Sequence, residues 1–234
     1  MSLSAQTRPA APCRVLVINP NTNPLVTARV REVASRYANE HLRFEVVNPS
    51  AGPFSIESDE DKRAAEQHAL QLIAQSQAQH YDGYVLACFD DLALKDARNM
   101  VTVPVIGCCE AGIAAARLIS PALAIVTTVS AALPGIRAMM RRYGAGEQAT
   151  VHAAEIGVAE AARSQPDAQN RLLRAVSQAV KVDGARVVLL ASGGLTGQAA
   201  GISLQSGVPV VDAVEAALRE AVRLCTGLVA EPSA

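Results

Sequence analysis

The feature that most constrains the fold is a regular alternation between short apolar runs and longer segments whose apolar residues have helical spacing. The alternation starts at RVLVINP (14–20), which precedes PLVTARVREVASRYA, and it continues to VPVV (208–211), which precedes VEAALREAVRLC. Strands that alternate with helices pair in parallel through right-handed crossover connections. The pattern therefore predicts an α/β fold built from parallel sheets.

The second part of the chain repeats the first. VPVIGCCEAGIAAA aligns with VPVVDAVEAALREA, and this alignment places Pro104 on Pro209. Cys88 lies 16 residues before Pro104, and Ser192 lies 17 residues before Pro209. Such self-similarity indicates a duplicated structural unit. We expect two pseudo-twofold-related parallel-sheet halves of the flavodoxin-like type, with the active site in the cleft between them.

The repeat also suggests domain limits. We expect one half at 14–119 and a second at 120–228, with the end of the chain packing back on the first half. Residues 1–13 are expected to form a disordered tail, because MSLSAQTRPAAP lacks the apolar core of a secretory signal. Residues 229–234 are expected to form a second tail.

Composition and charge limit the partners. Half of the residues are hydrophobic, only 3% are aromatic and Trp is absent. A core of Ala, Val, Leu and Ile suits parallel sheets covered on both faces. The net charge is −1, with no basic block and no apolar run near the ~18 residues of a membrane span. We therefore expect a small-molecule substrate, no nucleic acid and no membrane partner.

The cysteines are Cys13, Cys88, Cys108, Cys109 and Cys225. Their odd number and the absence of C-x-x-C spacing favour reduced thiols over a disulfide framework. We therefore expect a cytoplasmic protein in which the cysteines other than Cys88 are core or surface thiols.

Two helix starts are marked by polar residues. Thr22 or Asn23 is able to cap the first helix, and Pro24 suits its first turn. Ser58 and Asp61 resemble a capping box for the second helix, with Asp in the usual position of Glu.

Polar groups follow strands at four points: NPNT (19–22), CFDD (88–91), VTT (126–128) and SGG (192–194). In open α/β sheets, ligands bind outside the carboxyl ends of the strands, where helix starts offer unpaired amides. The residues that we expect to bind a carboxylate or imide are Asn21, Thr22, Phe89, Asp90, Thr127, Thr128, Gly193 and Gly194. None is Lys or Arg, which indicates binding through amides and hydroxyls.

Cys88 carries the most reactive side chain among these strand ends. A thiol with an ordinary pKa near 8.5 is mostly protonated at neutral pH, and a helix start lowers that pKa. Asp90 and Asp91 act in the opposite direction, and the sequence alone does not decide between the two effects. A buried structural cysteine is the alternative, because cysteine is among the most buried residue types.

Other catalytic motifs are absent from the sequence. SGGLTGQAAG matches neither G-x-G-x-x-G nor a P-loop, and Ser192 does not lie in a G-x-S-x-G elbow. The histidines are scattered without metal-ligand spacing, so no metal site is expected.

The combination of VLVINPNT, GPFSIES, ACFDD, VPVIGCCEA and LLASGGLTG resembles the hydantoin racemase branch of the aspartate/glutamate racemase superfamily over residues 14–225. The resemblance implies an isomerase without a cofactor, in which two cysteines flank the acidic carbon of the substrate. One thiolate removes a proton and the opposite thiol returns one to the other face. Cys88 matches the first cysteine, and Ser192 occupies the position of the second.

The serine is a large chemical change, because a hydroxyl is a far weaker acid than a thiol and a poor base at neutral pH. We expect a cofactor-independent racemase or epimerase of a hydantoin, allantoin or amino acid, with Cys88 and Ser192 as the catalytic pair. The alternatives are a decarboxylase or cis–trans isomerase of a small dicarboxylate, and a catalytically impaired binding protein. Ser192 is equally compatible with an introduced replacement. The Ala-rich helices favour a homo-oligomer.

Overall fold

The computed structural model describes residues 11–226. The strands are β1 (Cys13–Ile18), β2 (Leu42–Val47), β3 (Gly83–Leu86), β4 (Val105–Gly107), β5 (Leu123–Thr127), β6 (Thr150–Ala153), β7 (Val187–Leu190) and β8 (Val210–Asp212). The helices are α1 (Pro24–Ser35), α2 (Asp59–Ser76), α3 (Leu94–Met100), α4 (Cys108–Ile119), α5 (Leu133–Arg142), α6 (Val158–Arg163), α7 (Pro166–Lys181), α8 (Ala199–Ser206) and α9 (Ala213–Thr226). The predicted α/β fold is confirmed.

The strands form two four-stranded parallel sheets with equivalent strand orders, β2-β1-β3-β4 and β6-β5-β7-β8. In the first sheet Ile18 pairs with Leu86, and in the second Val126 pairs with Leu190. Both sheets thus have the same topology, as expected for a duplicated structural unit.

The register fixes which residues of the two halves are equivalent. Leu86 and Leu190 are the last residues of β3 and β7, and Cys88 and Ser192 each follow two positions later. Cys88 and Ser192 are therefore related by the pseudo-twofold symmetry. By the same criterion Gly107 corresponds to Asp212, because these residues pair with Leu86 and Leu190.

The two halves share one hydrophobic core. Helix α4 of the first half packs on β7 and β8, and α9 of the second half packs on β3 and β4. A Cβ atom at Gly112 would lie 2.9 Å from Leu189 Cδ1 and 3.2 Å from Ala213 Cβ, so this close packing of α4 requires glycine. Because each of these helices packs on the sheet of the other half, the carboxyl ends of the two sheets face a common cleft.

Most of the two expected tails falls outside the part of the chain that the structure describes. Residues 1–10 and 229–234, which belong to the two expected tails, lie outside the described residues. Strand β1 begins at Cys13, the last residue of the expected first tail. Among residues 11–226, no helix has both the length and the apolar character needed to cross a membrane.

Both marked helix starts are present. Asn23, rather than Thr22, caps α1 by accepting a hydrogen bond from the Leu25 amide at 3.0 Å. Ser58 and Asp61 form the predicted capping box of α2. Two helices differ from the sequence pattern. The pattern does not predict α6, and it predicts a helix over GLTGQAAGISLQ (194–205), which becomes α-helical only at Ala199. A 3₁₀ turn precedes α8 because two glycines do not sustain an α-helical turn.

The expectation that all cysteines are free thiols is wrong for Cys13 and Cys225, which form a disulfide. The bond joins the start of β1 to the end of α9 across a sequence separation of 212 residues. Sequence spacing gave no indication of the pair, because only the packing of α9 on the first sheet brings the two residues together. Cys88, Cys108 and Cys109 are free.

Reduction of this disulfide is expected to destabilise the protein. A cross-link that closes so long a loop lowers the entropy of the unfolded chain, and the chain-entropy model gives up to about 5 kcal/mol in the free energy of unfolding. Urea unfolding with and without dithiothreitol measures the effect. The C13S/C225S double variant is the control, and its unfolding midpoint should not respond to the reductant. Equal midpoints for the wild type under both conditions would contradict the prediction.

Candidate active site

A small pocket lies at the carboxyl ends of the central strands of both sheets. It encloses about 40 Å³. Its lining residues come from both halves of the chain: Pro20, Asn21, Ile56, Ala87, Cys88, Phe89, Asp90, Thr127, Thr128, Val129, Ala132, Ile136, Val158, Ala191, Ser192 and Gly193. The structure thus brings Cys88 and Ser192 to one pocket.

Most of the expected binding residues line this pocket, and two do not. Those in the lining are Asn21, Phe89, Asp90, Thr127, Thr128 and Gly193. The Thr22 amide and hydroxyl instead donate to the Pro53 carbonyl oxygen at 2.9 and 3.3 Å. Gly194 packs beneath α6, where an added Cβ atom would lie 2.4 Å from the Val158 carbonyl oxygen. Thr22 and Gly194 therefore support neighbouring segments rather than the pocket surface.

Two neutral donors remain available in the pocket. The Asn21 side-chain oxygen accepts hydrogen bonds from Asn19 Nδ2 and the Asn23 amide, and no partner within residues 11–226 occupies Asn21 Nδ2. The Thr127 hydroxyl donates to the Ala191 carbonyl at 3.0 Å. The Thr128 hydroxyl has no partner in the same part of the chain. Asn21 and Thr128 are thus free to bind a carbonyl or imide oxygen.

The pKa of the Cys88 thiol is raised well above its ordinary value. Burial is the largest cause, because protein atoms surround most of this partly exposed residue, and the charges of Asp90 and Asp91 add to it. The Asp90 backbone amide, which donates to the sulfur, and the Lys62 ammonium both lower it. Cys88 is therefore a thiol at neutral pH, and forming its thiolate depends on the nearby positive groups.

The two aspartates beside Cys88 have different partners. Asp90 forms an ion pair with Lys62 of α2, with Nζ and Oδ1 2.7 Å apart. Asp91 turns into the left-handed region at φ 47°, and its carboxylate accepts hydrogen bonds from the Cys109 and Glu110 amides at the start of α4. No local pattern indicates Lys62, because it lies 28 residues from Asp90.

Helices α4 and α9 each have a buried aspartate at their start. Asp91 reaches α4 from the β3–α3 loop, and Gly107 leaves room for it, because a Cβ there would lie 2.5 Å from the carboxylate. In the second half Asp212 accepts hydrogen bonds from the amides of Val214 and Gly197 at 2.9 and 2.6 Å. An aspartate therefore caps each of the two equivalent helices. Asp212 directly precedes α9, whereas Asp91 comes from a distant loop to cap α4.

Burial makes the Asp212 carboxyl sensitive to mildly acidic pH. It raises the pKa from 3.8 to about 6, although the Gly197, Glu215 and Val214 amides oppose the shift. Between these values the folded state binds a proton that the unfolded chain has released, so stability increases as the pH falls. Between pH 7 and pH 5, wild type should gain about 1 kcal/mol of unfolding free energy relative to D212N. Urea unfolding measures this difference, with D96N at an exposed position as the control. An identical pH dependence in wild type and D212N would refute it.

Ser192 holds its hydroxyl at the start of the 3₁₀ turn. Its Oγ accepts a hydrogen bond from the Gly194 amide at 3.3 Å, and the chain enters the turn from an extended conformation. Within residues 11–226 no acceptor binds the hydroxyl hydrogen, which is able to point towards a ligand. In the second half Ser192 therefore combines a weak proton donor with a backbone amide that stabilises negative charge on its oxygen.

The remaining wall of the pocket is mainly apolar and comes from residues that the sequence analysis did not single out. They are Ile56, Val129, Ala132, Ile136 and Val158. Ile56 belongs to the loop 48–58 between β2 and α2. Glu57 of this loop accepts a hydrogen bond from the Val158 amide at 2.8 Å, which ties the loop to the second half. Such contacts join distant segments and leave no local pattern in the sequence.

Other sites are less suited to proton-transfer chemistry. A groove of about 930 Å³ lies between α4, α9 and the segment before β4, and neither Cys88 nor Ser192 lines it. Within residues 11–226, no three His, Cys, Asp or Glu side chains are grouped in a way that would hold a metal ion. The pocket at the strand ends is therefore the candidate active site.

Known proteins resemble this chain over nearly its whole length. The model of the Asp/Glu/Hydantoin racemase family matches residues 15–221. A hydantoin racemase of Rhizobium meliloti is 34% identical over 206 residues, covering 88% of this chain and 86% of the relative. A hydantoin racemase of Paenarthrobacter aurescens is 32% identical, covering 89% of both chains.

A solved structure agrees with these sequence comparisons. The allantoin racemase from Klebsiella pneumoniae is 32% identical and superposes with a TM-score of 0.86, covering 94% of this chain and 90% of the other. The superposition shows that the two proteins share their fold. The chain belongs to the Asp/Glu/hydantoin racemase family, and is thus an isomerase.

Proposed function

We propose that the protein is a cofactor-independent racemase of 5-substituted hydantoins, in which Cys88 removes the proton from the stereogenic carbon and Ser192 faces the opposite side. The observation that carries the proposal is that two pseudo-symmetric positions, one a thiol and one a hydroxyl, line a single pocket. The relatives are named for hydantoin and allantoin, which share one imide ring.

The neutral donors of the pocket suit the charge that develops during the reaction. Removal of the proton leaves an enolate whose negative charge lies on the neighbouring carbonyl oxygen. Asn21 Nδ2 and the Thr128 hydroxyl, which have no other partner within residues 11–226, are donors for that oxygen. Donors that are already in position stabilise such an oxyanion without reorganising in the transition state.

The proton transfers are unequal on the two faces. Cys88 as a thiolate takes the carbon-bound proton and becomes a thiol, and the enolate then takes a proton from the Ser192 hydroxyl. Water returns a proton to Ser192, and the hydroxide that is left removes the proton of the Cys88 thiol. The reverse reaction needs Ser192 as a base, which is unfavourable at neutral pH. The proposed enzyme therefore removes and returns protons on the Cys88 face faster than it inverts the substrate.

The apolar wall favours an alkyl substituent on the ring. Ile56, Val129, Ala132, Ile136 and Val158 leave no hydrogen-bond donors or acceptors on their side chains for a ureido group such as that of allantoin. Burying an unpaired polar group costs free energy, whereas an alkyl group gains it. A pocket of about 40 Å³ is too small for a hydantoin, so substrate entry requires the lining to open.

Proton exchange in heavy water tests the proposal. Each enantiomer of 5-isobutylhydantoin is incubated with the protein, nuclear magnetic resonance follows the loss of the ring proton, and polarimetry follows inversion. We expect exchange of one enantiomer to be faster than the other, and faster than the loss of optical rotation. An enzyme-free sample corrects for spontaneous exchange.

The alternative activities have distinct outcomes in the same experiment. Release of carbon dioxide from a disubstituted malonate, or conversion of maleate to fumarate, would replace the proposal by a decarboxylase or a cis–trans isomerase. Calorimetric binding of the hydantoin without exchange would replace it by a binding protein. Faster exchange of allantoin than of the alkyl hydantoin would overturn the proposed preference for alkyl substituents.

A further inference from the structure

Lys62 is a cation beside the pocket that lies outside its lining. It projects from α2, and its Nζ lies 2.7 Å from Asp90 Oδ1. The two side chains are only 22% and 19% exposed, so solvent screens the pair less than a surface ion pair. Lys62 is therefore held in place next to Asp90, which follows Cys88 by two positions.

The charges around Cys88 show why the pair matters. Burial alone would lower the pKa of Lys62, but the hydrogen bond and charge of Asp90 raise it above its ordinary value. Lys62 is therefore charged at neutral pH. Without it, the Asp90 carboxylate would face the pocket uncompensated, close to a second negative charge whenever the Cys88 thiolate forms.

Asp91 needs no such partner, since it is engaged elsewhere. The Cys109 and Glu110 amides bind its carboxylate at the start of α4. The two aspartates thus have different partners: the start of α4 binds Asp91, and Lys62 neutralises Asp90.

We propose that Lys62 is a positioning residue, which neutralises and orients Asp90 so that the Cys88 thiolate is able to form in the pocket. The inference rests on the proposed function in treating Cys88 as the base. The groups that face Cys88 are Asp90 and Asp91 on its own loop, Lys62 on α2, and the buried thiols Cys108 and Cys109 on α4. Lys62 is the one cation among those groups.

The reactivity of the thiol tests this role independently of turnover. The rate constant for iodoacetamide alkylation of Cys88 is measured from pH 7 to pH 9 by mass spectrometry of its peptide, and Cys108 and Cys109 are fully buried. Below the raised pKa of Cys88 this rate constant is proportional to the small thiolate fraction. In K62M it should fall about tenfold at each pH. In D90N it should rise, and in the K62M/D90N double variant it should return close to wild type. K62R should retain the wild-type rate constant.

The same variants are assayed for proton exchange with 5-isobutylhydantoin. K62M should lose about tenfold in kcat/KM at both pH 7.5 and pH 9, because both values lie below the raised pKa of Cys88. K95M carries the same substitution at an exposed lysine of α3 and should match wild type in both assays.

The outcomes separate the two proposals. An unchanged alkylation rate constant in K62M, or a double variant that remains as slow as K62M, would overturn the role of Lys62. If K62M does not fold, an unchanged rate constant in D90N has the same consequence. Absence of proton exchange in the wild type, together with the expected changes in alkylation rate, would instead overturn the proposed function and leave the charge relation intact.

Discussion

Replacement of Cys88 by alanine is expected to lower the rate of ring-proton exchange by about 10³-fold or more. Cys88 is the thiol of the pocket, and general acid–base catalysis by a positioned side chain typically contributes 10²–10⁴-fold. The remaining hydroxyl of Ser192 is too weak a base to replace it at neutral pH. Exchange of each hydantoin enantiomer in heavy water, followed by nuclear magnetic resonance, measures the loss.

A buried cysteine outside the pocket lining provides the matched control. Cys109 lies at the start of α4 and is fully buried, so C109A removes the same atom from a different position. We expect C109A to be less stable than the wild type but to exchange protons at a similar rate. Equal exchange by C88A and the wild type would exclude Cys88 as the base.

Replacement of Ser192 by cysteine is expected to raise the rate of racemisation by about 10²-fold. The two positions are equivalent in the sheets, since Leu86 and Leu190 end the strands that lead to them. A thiol has an ordinary pKa near 8.5, far below that of a hydroxyl, so it serves as either acid or base near neutral pH. Inversion should then approach the rate of proton exchange. Polarimetry with each enantiomer measures the gain.

Two further variants distinguish proton transfer at Ser192 from indirect effects. S192A removes the hydroxyl, and it should abolish inversion while proton exchange on the Cys88 face continues. S206C adds a thiol at the end of α8, outside the pocket lining, and should leave both rates unchanged. If S192C inverts the substrate no faster than the wild type, the two positions do not act on opposite faces of one substrate.

The order of strands and helices was predictable because its signals are local. Apolar runs and helical spacing are properties of neighbouring residues, and they predicted the alternation of strands and helices that the structure shows within residues 11–226. The capping box of Ser58 and Asp61 is local in the same way. The short helix α6 was missed, because six residues rich in alanine carry no periodicity that distinguishes a helix from a loop.

The candidate site was predictable in part, for a topological reason. Parallel strands end at one edge of a sheet, so residues after β1, β3, β5 and β7 had to lie near one another. Cys88 and Ser192 follow from this topology. Thr22 is not excluded by it, because the direction of a side chain within a loop depends on a partner, here the Pro53 carbonyl oxygen, that lies 31 residues away.

The sequence by itself determined the alternation of elements, the parallel connections and the repeat that relates Cys88 to Ser192. The tertiary structure alone decided the Cys13–Cys225 disulfide, the ion pair of Lys62 with Asp90, and the rotation of Asp91 towards α4. The physical reason is the distance along the chain between the residues that interact. Periodicity and strand order follow from short-range backbone and packing preferences, whereas ion pairs, disulfides and caps between distant segments require positions that exist only when both halves are packed together.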